Sequence, residues 1–249
     1  MDDNPYASPE FTSDPVSQKS KWFATLVTVL GVAGCLVIVV AILLPARRTV
    51  PEASLRWHCR NNLKQIGLAL ANYKDTWHAF PPAYTVDSNG KRLHSWRTLI
   101  LPFMDQQTLY DSIDLSKTWD DPANSKAYQS SIPGYRCTFS NVQANQTTYM
   151  AVIATNSCLL PTTSRAPPQI PQNLAENLII IETDREHCVH WMDPTDVDEK
   201  WILGFSPETK FAHRGGTHAV CADGSVTFVG TETPAAERRA MISISEKGK

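Results

Sequence analysis

The sequence predicts an α+β fold: a transmembrane helix, then a long amphipathic helix packed on an antiparallel β-sheet. Three observations carry this. Residues 22–44 form a run of 23 without a charge. Leu55, Cys59, Leu63, Ile66, Leu70, Tyr73 and Trp77 then recur at gaps of four or three, a single stripe of a 3.6-residue period. Beyond them, short runs rich in β-branched and aromatic residues alternate with turn-forming clusters.

Residues 1–20 are polar and rich in Asp, Ser and Pro. Such a segment cannot bury enough apolar surface to offset the entropy of ordering, so it reads as a disordered tail. The uncharged run, assigned as residues 21–45, reaches about 34 Å as a helix, against a hydrocarbon core of about 30 Å. A core helix would carry a polar face, whereas only Thr25 and Thr28 interrupt this one. A signal peptide would have a shorter apolar region and a small-residue cleavage site. Pro45 and Pro51 each remove a backbone donor and set off a juxtamembrane linker at 46–53. The striped helix spans about 52–77, with Arg56, Arg60, Asn61, Lys64, Gln65 and Asn72 opposite the stripe. The folded domain covers residues 54–249.

Within that domain, residues 75–92 read as a loop: Phe80-Pro81-Pro82 forces an extended path and Ser88-Asn89-Gly90 a turn. Ser95 is the N-cap of a helix to Leu101, which Pro102 breaks before a second short helix ending near Asp111. Trp96, Leu99, Ile100, Phe103 and Leu109 face the core. Asp121-Pro122 has the cap-then-proline order of a helix to about Ser130. Residues 135–138 and 147–155 read as strands and 177–183 as a central strand, with loops at 156–175 and 187–199. Residues 217–222 and 225–229 alternate around Asp223-Gly224, the pair that favours a type I′ turn with Gly224 at positive φ. Thr233-Pro234 opens a last helix to about Ile242.

Charge and chemistry exclude more than they assign. With 23 basic and 25 acidic side chains the net charge is −2, which argues against nucleic acid as a partner. The partner the sequence names is the lipid bilayer. Of six cysteines, Cys35 lies in the membrane run, leaving an odd number for an oxidising compartment. Cys158 and Cys188 are the first pair to test for a disulfide. Cys59, on the stripe, reads as a small buried residue rather than a ligand. His187 and His190 flank Cys188 and are zinc or copper candidates, with His213 or His218 elsewhere, though no closed-site spacing is matched. Asp193, Asp196, Asp198 and Glu199 form a candidate calcium loop without the glycine and alternation of an EF-hand. Solvated side chains are the competing reading of both groups. Trp96, Trp119, Trp191 and Trp201 suit a core better than a sugar-binding surface. His213, Asp223 and Ser225 suggest a triad, but there is no nucleophile elbow. No catalytic residue, no enzyme activity and no cofactor beyond the candidate calcium is assigned.

Several motifs stand in a fixed order: Leu44-Pro45-Ala46, then Cys59-Arg60-Asn61-Asn62-Leu63-Lys64-Gln65-Ile66-Gly67, Phe80-Pro81-Pro82-Ala83, Ser95-Trp96-Arg97, Leu101-Pro102-Phe103 and Leu109-Tyr110-Asp111. His213 then stands before Asp223-Gly224 with nine residues between them. In these the chain resembles a large bacterial family of unknown function, also described as solute-binding-like, whose C-terminal signature is H-x9-D-G. The resemblance implies a prepilin-type N-terminus, a pilin-like fold, and an extracytoplasmic domain anchored in the inner membrane with its N-terminal tail in the cytoplasm. The positive-inside count is balanced between Lys19 and Lys21 on one side and Arg47 and Arg48 on the other, so orientation rests on the resemblance. Where the family has a glycine, an aromatic residue and a glutamate around its processing site, this chain has Phe23, Ala24 and Thr28. The expectation is an unprocessed, single-pass anchor with a structural or interaction role beside other envelope or pilin-like proteins. A solute- or glycan-binding receptor is the alternative.

Overall fold

The computed structural model describes the backbone of residues 16–43, 52–137, 142–154, 157–160 and 174–244. The expectations for residues 1–15, for most of the linker and for most of the 156–175 loop lie outside the described residues. The chain divides into two compact units, Met1–Thr49 and Val50–Lys249.

Among its described residues the first unit is one helix, α1 (Val16–Leu43). It starts earlier than expected, so residues 16–20 are helical rather than disordered. Its Lys21–Val40 stretch is long and apolar enough to cross a membrane, with a mean hydropathy of 2.7, and none of it is buried. The two hydroxyls bond back to their own helix, Thr25 Oγ1 to Lys21 O at 2.8 Å and Thr28 Oγ1 to Ala24 O at 2.9 Å. A helix that satisfies its own polar groups in this way is suited to lipid.

The second unit begins with α2 (Glu52–Trp77), as the stripe predicts. Cys59, Leu63, Ile66 and Leu70 are fully buried and Tyr73 packs at the margin of the same core. Trp77 departs from the expectation: it lies in the last turn, beyond the packed surface, and is 55% exposed. The side chain of Leu55 lies outside the described residues.

The segment read as loop over 75–92 contains a small hairpin, β1 (Tyr84–Val86) and β2 (Arg92–Ser95). Its turn falls where Ser88-Asn89-Gly90 predicts it: Asp87 Oδ1 accepts from Asn89 N and Lys91 N, and Gly90 has a φ of +82°. Three-residue and four-residue pairings leave too short a hydrophobic alternation to register as strands. Ser95 caps α3 (Trp96–Leu99), accepting from Arg97 N. Pro102 then lies in a 3₁₀ turn, followed by α4 (Gln107–Tyr110). Asp121 caps a 3₁₀ turn that leads into α5 (Ser125–Tyr128). Tyr135, expected to open a strand over 135–138, instead closes a 3₁₀ turn (Pro133–Tyr135), because Pro133 and Gly134 favour a turn over a ladder, and residues 136 and 137 join no strand.

The main sheet has five strands in the order β7-β4-β5-β8-β9. They are β4 (Tyr149–Ile153), β5 (Leu178–Glu182), β7 (Val197–Asp198), β8 (Gly216–Cys221) and β9 (Val226–Gly230). Strand β5 is central, as its apolar run predicts. The sheet is antiparallel except at one edge, where β7 pairs parallel to β4. A separate ladder joins β3 (Gln146–Thr147) to β6 (Val189–His190), so the region read as a loop over 187–199 contains two short strands.

Both faces of the sheet are covered. Tyr149, Ala151, Ile180, Val220 and Ala222 point to the α2 side. Met150, Val152, Ile181, Ala219 and Cys221 point to the other, against Ile202 of α6 (Glu199–Leu203) and Ile242 of α7 (Ala235–Ile242). Strands buried on both faces read as continuous apolar runs, which is why β5 shows no alternation. A register shift in β5 between Leu178 and Ile180 sets which face its last residues take. By that parity Glu182 shares the α2 side with Ile180.

The β8–β9 connection differs from a type I′ turn. Asp223 does not adopt positive φ; Gly224 alone does, at +84°. Gly224 N bonds to Cys221 O at 2.8 Å and Cys221 N to Ser225 O at 2.9 Å, so the loop has three residues with glycine at the left-handed position. Gly224 also lies against α2: a Cβ on Gly67 would meet Gly224 O at 2.6 Å. Close approach of helix to turn, rather than hairpin twist alone, selects this geometry. Pro234 is the N-cap of α7 and provides no side-chain cap bond.

Candidate functional site

Cys59 of α2 faces the sheet near its centre, and three further side chains converge on it. Cys137 follows the 3₁₀ turn at Pro133–Tyr135, Glu182 ends β5, and His213 precedes β8. One ligand atom from each, two sulfurs, one carboxylate oxygen and one imidazole nitrogen, all lie within 4.8 Å of one another. All four residues are buried, with exposures of 0–1%. Among the described residues this is the one group of three or more His, Cys, Asp and Glu side chains so arranged.

The surrounding residues hold each arm in place. Asn62, one turn beyond Cys59, donates from Nδ2 to Arg136 O at 2.9 Å, fixing the backbone just before Cys137. Arg56, one turn earlier, donates to Arg214 O at 3.0 Å, fixing the backbone just after His213. Thr217 Oγ1 donates to Glu182 O. The Cys59-x-x-Asn62 spacing thus puts a donor to the cluster and a clamp for its neighbour on one helix face.

Within the cluster, His213 Nε2 lies 3.0 Å from Glu182 Oε2, and His218 Nδ1 lies 4.0 Å from the same oxygen. Glu182 Oε1 finds no hydrogen-bond partner among the described residues. The hydrogen bond from Cys137 holds the Cys59 thiol down at about 6, assisted by His213 against the effect of burial. The same contact with Cys59, with burial and Glu182, pushes the Cys137 thiol well above its ordinary value. Two adjacent thiols share one negative charge in this way. Burial opposes the charge on His213, but hydrogen bonds to Cys59 and Glu182 outweigh it and raise the imidazole to about 9. His218 goes the other way: burial first, then the His213 charge, lowers it to about 4.

A thiolate, an imidazolium and a carboxylate in contact are the parts of a thiol nucleophile. Accessibility removes that use, because Cys59 is 0% and His213 1% exposed, so no substrate atom reaches the sulfur. The remaining chemistry is that of four donors enclosing a point.

The other candidates are dispersed. Asp196 is buried against Arg97 (Nη2–Oδ1, 2.8 Å) and also accepts from Trp96 Nε1 and Ala151 N. Asp193 Oδ1 accepts from Thr195 N and Asp198 Oδ1 from Trp201 N. These carboxylates therefore organise backbone and core and form no calcium cluster among the described residues. His187 bonds Asp184, while His190 donates to Tyr128 O and stacks on the Tyr128 ring at 4.3 Å. Neither histidine joins a ligand group among the described residues. Trp96 and Trp191 are fully buried, and Trp119 and Trp201 partly so. Cys158 is buried and Cys188 half-buried, with no disulfide between them. Asp223 sits in the exposed turn accepting from Ser225 N, apart from any triad.

The motif residues have structural positions. Leu63 is core, Asn61 is half-buried, and Lys64 and Gln65 face outward on α2. Pro81 is buried and Pro82 half-buried at the entry to β1. Cys137 and Glu182 were not singled out from the sequence. A carboxylate closing a buried apolar run was the available signal for Glu182, since such a charge requires a partner.

Comparison with known proteins adds a family. The family described as "Protein of unknown function (DUF1559)" matches residues 49–179, a span that includes Cys59, Asn62, Trp96 and Cys137. No curated protein and no solved structure matches the chain. The chain therefore belongs to the DUF1559 family, whose function is not known.

Proposed function

We propose that this is a membrane-anchored, pilin-like envelope protein with a structural or protein-interaction role. It would sit in the bacterial inner membrane through an unprocessed N-terminal helix, with the domain from residue 50 onward outside the cytoplasm. The observation that supports this reading most is α1: its apolar Lys21–Val40 stretch is wholly exposed and keeps its two hydroxyls bonded internally. Thr28 stands where the prepilin segments it resembles carry a glutamate, so the apolar run from Trp22 onward holds no carboxylate whose burial in lipid assembly would relieve. Carbonate extraction of cell membranes followed by intact-mass measurement tests the reading. Full-length chain in the carbonate-resistant pellet is expected. Release by carbonate overturns the anchor, and a chain cut near Phe23 overturns the fixed, unprocessed state.

A solute- or glycan-binding receptor is the second reading. In its favour is a depression of about 290 Å³ lined by His58, Asn62, Ser131, Pro133, Arg136 and Ala144, at the lower end of ligand-site volumes. A second hollow near Asp198 and Arg239 is open to solvent. Thermal-shift screening against glycans and small solutes separates the two readings, since a receptor responds to its ligand and a scaffold does not.

A further inference from the structure

We propose that Cys59, Cys137, Glu182 and His213 form a structural zinc site that ties α2 to the sheet. This is independent of the membrane role proposed above. Zinc takes thiolate, imidazole and carboxylate ligands in tetrahedral sites, at about 2.0–2.3 Å. A tetrahedron with such bonds separates its ligand atoms by about 3.3–3.8 Å. The four atoms here already lie within 4.8 Å of one another, so each arm need move by an ångström or less to close the site.

The donors arrive from four segments far apart in sequence, at positions 59, 137, 182 and 213. A carboxylate, an imidazole and two thiols placed together in an apolar core, at 0–1% exposure, are costly unless something neutralises them. The carboxylate has an oxygen with no hydrogen-bond partner among the described residues, which leaves a lone pair for a cation. Residues around the four donors hold them in place as well: Asn62 and Arg56 clamp the backbone beside Cys137 and His213, and Thr217 holds Glu182. Two sulfur donors exclude calcium and magnesium, which take oxygen ligands. Four protein ligands with no opening to solvent make the site structural rather than catalytic.

The test uses the full-length protein in detergent, purified without chelator. One zinc per chain by elemental analysis is expected, with a melting temperature that falls on chelation and recovers on adding zinc. Exchange to cobalt should give thiolate-to-metal charge-transfer bands and the intense visible bands of a tetrahedral site. Cys137→Ser should retain about half of the charge-transfer intensity, one thiolate of two. Asn62→Ala removes a clamp but no ligand, and should weaken zinc binding by about 10–100-fold. Because the cobalt spectrum is read on the wild-type chain, a variant that fails to fold does not spoil the result. A Cys59–Cys137 disulfide in the isolated protein overturns the proposal. So does a wild-type chain that binds no cobalt and whose melting is indifferent to chelator, and so does copper or iron at one per chain in place of zinc.

Discussion

Arg97 is fully buried and answers to several partners at once: Asp196 at 2.8 Å, Tyr149 O through Nε, and Ser95 Oγ through Nη1. Tyr135 in turn donates to Arg97 O at 2.7 Å. Burial pushes the Asp196 carboxyl up and the Arg97 charge draws it back. Arg97→Met would leave that carboxylate buried without its counter-charge, a loss of about 3–5 kcal/mol, to be read as a lower urea midpoint. Ser95-Trp96-Arg97 was legible as a motif, and Ser95 as a cap, but its acidic partner was not. Asp196 lies about a hundred positions away in a stretch that reads as a solvated acidic loop. His218 contributes to the pH dependence of stability. Its folded value, about 4, lies below the ordinary 6.5, so its contribution to stability is present above pH 6.5 and lost as pH falls toward 4. Melting temperature measured from pH 7 to 4 should drop in the wild type, and His218→Gln should drop less.

At the scale of elements, α2 shows how helix propensity and packing oppose each other. Gly67 costs an exposed helix about 1 kcal/mol relative to alanine. Here an added Cβ would meet Gly224 O at 2.6 Å and Val220 Cγ1 at 3.0 Å. Backbone cannot give way as a flexible side chain does, so Gly67→Ala should destabilise by about 1–3 kcal/mol in spite of better propensity. Chemical denaturation of the variant checks the sign. The stripe that defines α2 was legible because it is periodic, and among the described side chains it failed only at Trp77, where the helix outruns its partner surface. The hairpin of β1 and β2 and the edge strand β7 were not legible, because two to four residues carry too little alternation to separate from loop.

For the molecule as a whole, the division at residues 49 and 50 has a direct consequence. Among the described residues, the core of the second unit is built from residues between Cys59 and Ile244. A chain beginning at Val50 should therefore fold without the anchor and remain in the supernatant after ultracentrifugation. Its unfolding free energy, from chemical denaturation, should lie within about 0.5 kcal/mol of the full chain's domain, the usual limit of additivity for independent parts. A large loss of stability in that chain would show that the two units depend on each other.

What the sequence determined by itself is what local periodicity can encode: an uncharged run long enough for a membrane, one striped helix, a central apolar strand and a glycine turn. Tertiary structure alone decided that Cys59, Cys137, Glu182 and His213 meet. Their meeting depends on the register shift in β5 that turns Glu182 toward α2, and on clamps from Asn62 and Arg56 to distant backbone. No spacing along the chain records those long-range contacts, because they follow from how the sheet is paired and where the helix lies across it.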